Sequence, residues 1–177
     1  LLEHTGLYER MTAEDNLEFY GRVWRIPAAQ RKERIQTLLQ SLALWERRKD
    51  NVSQWSRGMK QKLSVARALL HQPKLIFLDE PTAGLDPVAA AALRDDLANL
   101  ARRQGVTVFL TTHNLTEAEK LCDQVAVIRD GRLLSVGSPD TLRLARGGGK
   151  LEVVGRGFSE EALARLRQRP EVAAVEQ

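Results

Sequence analysis

Asp79 and Glu80 are adjacent carboxylates that follow the apolar run Leu75-Ile76-Phe77-Leu78 and precede Pro81. A run that short suits a strand, and a strand with no polar alternation reads as buried on both faces. Pro81 cannot donate to a ladder, so the strand stops and the two acids emerge at its carboxyl end. Ligands of open α/β sheets bind outside that end, so a metal and a reacting water would be held there. A second apolar run, residues 106–110, ends in Thr111-Thr112-His113. A histidine after a strand is ordinarily a structural hydrogen-bonding residue. Beside two carboxylates at the same sheet edge it becomes a functional candidate. A third group of residues is Ser56-Arg57-Gly58-Met59, where Ser56 is a good N-cap and Gly58 lets an anion approach the backbone.

The elements that must position these residues follow from spacing. Met59, Leu63, Ala66 and Leu70 recur at i, i+4, i+7 and i+11, one face of a helix that starts near Ser56 and stops before Pro73. Asp86-Pro87 pairs an N-cap with proline at the first helical position, and Gly105 sits where the helix would end. Strand, helix and strand in this order make a βαβ unit with parallel strands and a right-handed crossover, which brings Asp79, Glu80 and His113 to one edge. Upstream, Thr12 and Asp15 mark a helix start with Leu17, Tyr20 and Trp24 at helical spacing, ended by Pro27; Ile35, Leu38, Leu39 and Leu42 mark a second helix. Downstream, Asn114 and Glu117 form a capping pair, and Asp130-Gly131 between two apolar segments predicts a hairpin. Ser138-Pro139 opens a further helix, and Gly147-Gly148-Gly149 reads as a linker. Beyond the linker, two apolar runs around a helix that starts at Ser159 predict a small β-α-β appendage.

Composition narrows the function classes. At 177 residues the chain can bury a real core. Its 27 Lys and Arg against 23 Asp and Glu are spread along the chain, and solvated helix faces explain the small positive excess at least as well as a nucleic-acid footprint would. The single Cys122 permits no internal disulfide, which fits a reducing compartment. No apolar run approaches the roughly 18 residues a membrane span needs. Work at a membrane would require a partner.

Taken in order, these residues resemble the ATP-binding subunit of an ABC transporter. Trp55-Ser56-Arg57-Gly58-Met59 is similar to the family's signature motif, residues 75–80 to its Walker B strand with the catalytic glutamate, Ala83-Gly84-Leu85-Asp86 to its D-loop, and His113 to its switch histidine. The stretch Gly6-Leu7-Tyr8-Glu9-Arg10-Met11-Thr12 and the tail after the glycines resemble bacterial exporters of the drug-resistance type. The phosphate loop Gly-x-x-x-x-Gly-Lys-Ser/Thr and the upstream adenine-stacking aromatic do not occur in the sequence. Glu3 stands where the family's Q-loop has glutamine, and Trp55 and Arg57 stand where the signature has leucine and glycine.

The resemblance implies an α/β fold, a P-loop NTPase-like core with a mostly parallel sheet lacking its N-terminal part. Residues 1–146 would be the partial ATPase domain, with a helical and signature subdomain over about 12–72 and the core over about 73–137. Residues 147–149 would be the linker and 150–177 an accessory domain. It implies ATP and Mg²⁺ as cofactors, Glu80 and His113 as catalytic residues, Asp79 and Glu3 near the metal, and Ser56, Arg57, Gly58, Met59 and Asp86 as nucleotide-binding residues on a head-to-tail dimer. The partners implied are a second nucleotide-binding domain and integral membrane permease subunits, with no direct nucleic acid, at the inner face of the cytoplasmic membrane. Two other readings are weighed beside it: a soluble ABC ATPase acting on ribosomes or DNA, and a catalytically inactive interaction module.

Overall fold

The fold is described from a computed structural model, over residues 6–145 and 159–169. The metal-site candidate Glu3, the glycine linker and both strands of the β-α-β appendage lie outside the described residues.

Four helices come from local signals at their starts. Helix α1 (Ala13–Val23) is capped by Thr12, whose side chain accepts from the Asp15 N–H, and α2 (Ala28–Ser41) follows Pro27. Two single 3₁₀ turns lead to α3 (Arg57–Leu69), capped by Ser56. Strand β1 (Leu75–Asp79) then leads to α4 (Pro87–Gln104), whose cap is Asp86 and whose end is Gly105 with φ +62°. Strand β2 (Thr107–Thr111) pairs with β1 in parallel, with Leu75 opposite Thr107 and Asp79 opposite Thr111. After α5 (Leu115–Leu121), β3 (Val125–Arg129) and β4 (Arg132–Gly137) form the antiparallel hairpin that Asp130-Gly131 predicts. Helix α6 (Pro139–Ala145) follows, and α7 (Glu160–Arg167) lies in the segment that starts at Ser159.

The chain divides into a unit over Leu1–Pro139 and a second over Asp140–Gln177. In the first, Leu17, Leu39, Leu63 and Leu93 are fully buried and share one core with Ile76 and Leu78 from β1. In the second, Leu163 of α7 is buried.

Two expectations are corrected. Strand β1 is not buried on both faces: Ile76 and Leu78 enter the core, whereas Leu75 and Phe77 are 45% and 63% exposed. The helices of the core cover one side of the β1–β2 pair. On the other side Phe77 leans on Phe109, with ring centroids 5.4 Å apart. Period-2 burial is thus present but hidden, because both faces carry apolar residues. The first helix also ends before Trp24 can join the core. Arg25 turns left-handed with φ +54°, and the N–H groups of Arg25 and Ile26 bond back to the carbonyls of Arg22 and Gly21. That is a Schellman stop, closed before Pro27 is reached. Trp24 is left exposed and stacks on His71, with centroids 4.2 Å apart.

Candidate functional site

Parallel pairing of β1 with β2 puts Asp79 beside Thr111, so the residues just past each strand share one edge. The Thr111 hydroxyl donates to Asp79 Oδ1, which fixes the direction of that carboxylate. Glu80 follows in a left-handed conformation, φ +45°, uncommon for a residue with a side chain. Its N–H donates to the Thr111 carbonyl at 3.0 Å, and its carbonyl accepts from the Ala83 N–H at 3.0 Å. The backbone turns sharply there while both flanking polar groups stay bonded. That turn aims the carboxylate across the sheet edge, where Glu80 Oε1 lies 2.8 Å from His113 Nδ1.

His113 is open to solvent, with its side chain 83% exposed. The hydrogen bond that its ring N–H donates to Glu80, then the charge of Glu80, hold its pKa above the ordinary 6.5, and the Glu117 carboxylate adds in the same direction. Asp79, Glu80 and His113 therefore form one cluster at the carboxyl end of the pair. Among the described residues no group of three or more His, Cys, Asp or Glu is arranged to enclose a metal ion. One accessible carboxylate suits Mg²⁺, which keeps several of its waters and shares them with phosphate oxygens.

The second cluster lies at two helix starts. Ser56 Oγ accepts from the Met59 N–H at 3.3 Å. Asp86 Oδ1 accepts from the N–H groups of Val88 and Ala89 at 3.1 and 2.9 Å. Gly58 packs so near α4 that a Cβ there would approach the Ala89 side chain to 3.2 Å. The N-termini of α3 and α4 are consequently neighbours, and their dipoles add positive potential on the same patch. Arg57 is exposed, and its guanidinium lies over Gly84, where any Cβ would overlap it. Gly84 has φ +68°. Met59 offers less than its neighbours: its side chain packs at the margin of the core, and its sulfur accepts from Arg47 at 3.4 Å.

Sequence reasoning placed Asp79, Glu80 and His113 together, and the structure brings them together. It missed Thr111 as the partner of Asp79, and it missed the contact of Arg57 with Gly84, which are 27 residues apart (84 − 57). The only local hint of the first was a hydroxyl residue one place before the Thr112-His113 pair.

Comparison with known proteins gives this geometry a context. Residues 1–83 match a family profile described as ABC transporter. The Fluoroquinolones export ATP-binding protein of Mycobacterium tuberculosis is 39% identical over 150 residues, which cover 85% of this chain and 48% of that protein. The Daunorubicin resistance ATP-binding protein of Streptomyces coeruleorubidus is 37% identical over 152 residues, covering 86% and 48%. Among solved structures, cbiO1 from Clostridium perfringens, part of an ABC transporter complex, matches with a TM-score of 0.73 at 25% identity, over 80% of this chain and 56% of that one. The chain spans about half the length of the curated relatives it matches. No helix among the described residues is long and apolar enough to cross a membrane.

Proposed function

The chain is related by sequence and fold to the ATP-binding subunits of ABC transporters, and from that premise we propose that its protein hydrolyses Mg-ATP to drive export of a substrate across a membrane. The observation that carries the reading is the 2.8 Å contact of Glu80 with His113 at the strand edge that also holds Asp79. Phosphoryl transfer is mainly a problem of placing groups and neutralising charge, and each residue has a task in it. Glu80 takes the proton of the attacking water as its oxygen bonds to the γ-phosphorus and the bond to ADP breaks. His113 turns from the carboxylate to the γ-phosphate. Asp79 would hold Mg²⁺, whose charge would offset that of the phosphate oxygens when bound. By its resemblance to the Q-loop residue, Glu3 would serve the same metal and water.

The helix-start cluster serves a different nucleotide. Ser56, Arg57, Gly58 and the Met59 backbone contact the γ-phosphate of ATP bound to a second subunit, and Asp86 fixes the neighbouring helix start. Two subunits then close head to tail on two ATP molecules. The 177 residues hold no phosphate loop, so the cradle for the β- and γ-phosphates must be supplied by other residues of the protein. Integral membrane permease subunits, absent from this chain, would select the cargo and hold the ATPase at the inner face of the membrane. The export and resistance roles in the relatives' names support the direction of transport.

Phosphate release from Mg-ATP by the intact protein tests this. Glu80→Gln should cut turnover by about 10² or more, the scale of a general base, and collect a nucleotide-bound dimer on size exclusion. Normal turnover in that variant would remove the basis of the proposal.

A further inference from the structure

Thr112, Asn114 and Glu117 take no direct part in that chemistry, yet they are bonded to one another across the turn that carries His113. The Asn114 side chain caps α5 by accepting from the Glu117 N–H at 3.3 Å. In the familiar capping box the third helical residue reaches back to the cap's own backbone N–H. Glu117 occupies that third position and does otherwise. The Asn114 N–H goes to the Thr112 hydroxyl at 3.0 Å, and Thr112 donates its hydroxyl proton to Glu117 Oε2 at 2.5 Å. The box is closed through Thr112, and the closure runs around the one residue between Thr112 and Asn114, which is His113.

Glu117 is also fully buried, and its Oε1 has no hydrogen-bond partner among the described residues. A buried carboxylate with acceptor capacity unused is a costly way to finish a seven-residue helix whose amide is already capped by Asn114. A glutamate reaching back in the ordinary way would stay solvated. What the burial does supply is a fixed anchor for the Thr112 hydroxyl, one residue before the imidazole.

We propose that Glu117 is a positioning residue for His113: by holding the Thr112 hydroxyl, its carboxylate fixes the backbone on both sides of the imidazole and aims Nδ1 at Glu80. The inference rests on the ATPase reading for its catalytic consequence only. The charge of Glu117 also raises the His113 pKa, behind the larger effect of Glu80.

The test uses the intact protein with Thr112→Val, which keeps shape and loses the hydroxyl, Thr112→Ser, which keeps the hydroxyl, and Glu117→Leu, which fills the volume without an acceptor. Thr112→Val and Glu117→Leu should each lower kcat by roughly tenfold, a moderate share of what a misplacement near 1 Å costs, with KM for ATP within about twofold. Thr112→Ser should restore turnover. In a His113→Ala background neither loss should recur, because the residues act through the imidazole. Unchanged kcat in Thr112→Val, or the same tenfold loss without His113, would overturn the proposal. A second readout is the titration of the His113 ring by NMR, which should fall toward its ordinary value in Thr112→Val as the contact with Glu80 is lost. An unmoved midpoint there also overturns it. If the unsubstituted protein hydrolyses no ATP, the ATPase reading fails while the NMR midpoint still decides the positioning.

Discussion

The left-handed backbone at Glu80 makes a prediction that separates stability from catalysis. With φ at +45°, the Cβ of Glu80 crowds the following peptide, at a cost of about 1 kcal/mol or more for an L-residue. The conformation persists because its surroundings determine it: β1 ends in the ladder opposite Thr111, the Glu80 N–H and carbonyl are both bonded, and Pro81 is buried just beyond. Replacing Glu80 by Ala keeps the Cβ and the strain, whereas Gly removes both. The two variants lose the same carboxylate and the same contact with His113, so the ion pair cancels in their difference. Gly also makes the unfolded chain more flexible, which offsets part of the gain. The balance at a positive-φ site still favours glycine over alanine by about 1 kcal/mol. For a chain of this size that is about 2–4 °C in melting temperature. Glu80→Gln, which keeps the Cβ, should melt with Glu80→Ala and not with Glu80→Gly. Turnover should fall by about 10² or more in all three. Thermal unfolding of the intact protein without nucleotide reads the first part, and phosphate release reads the second. An alanine variant as stable as the glycine variant would refute the claim that catalytic geometry here is held against local backbone preference.

Two further predictions use the same clusters. Gly84→Ala and Gly105→Ala both place a Cβ on left-handed backbone, φ +68° and +62°, and each should lose about 1 kcal/mol in urea unfolding. Only Gly84→Ala should also lower ATP turnover, because its Cβ displaces the Arg57 guanidinium, whereas a Cβ at Gly105 would meet nothing within 4 Å; equal activity in the two variants would detach Arg57 from function. In the nucleotide-free protein His113 should titrate above the ordinary 6.5, and Glu80→Gln should lower the midpoint in NMR. With the folded value raised, the pair's small contribution to stability is fully present below the unfolded pKa and is lost as pH rises through the folded one. A midpoint indifferent to Glu80→Gln would contradict the 2.8 Å contact.

The starts of elements were legible because they are written in single side chains. Thr12, Ser56, Asp86 and Asn114 each cap the helix that their spacing announces, and Asp130-Gly131 turns the hairpin. The ends were harder. Arg25 and Ala43 close α1 and α2 at φ +54° and +56°, and Gln72 follows α3 at φ +53°, where a glycine would have announced the stop. Only Gly105 did so. The exposed face of β1 was invisible for a different reason: Leu75 and Phe77 have the chemistry of buried residues, and which face the helices cover is a tertiary fact. Within the candidate site, the sheet edge shared by Asp79, Glu80 and His113 followed from the βαβ unit alone. The left-handed turn at Glu80, the detour of the α5 cap through Thr112 and the resting place of Arg57 depend on contacts that no short stretch encodes.

Those contacts also link the two clusters, which in the proposed pair would serve different nucleotides. The turn after Glu80 is a chain of short links: the Glu80 carbonyl to the Ala83 N–H at 3.0 Å, the Thr82 carbonyl to the Leu85 N–H at 3.2 Å, then the Asp86 cap of α4. Arg57 lies on this turn at Gly84, and Gly58 lies against Ala89 just past its end. A shift of the α3 start is therefore a shift against the turn that begins at Glu80, since packed groups this close have no room to move independently. In the proposed head-to-tail pair, the α3 start of one subunit meets the ATP of the other. Engagement of the partner's γ-phosphate would then be felt at the subunit's own general base through at most a few packed residues. A subunit would be primed to hydrolyse by the act of gripping its neighbour's nucleotide.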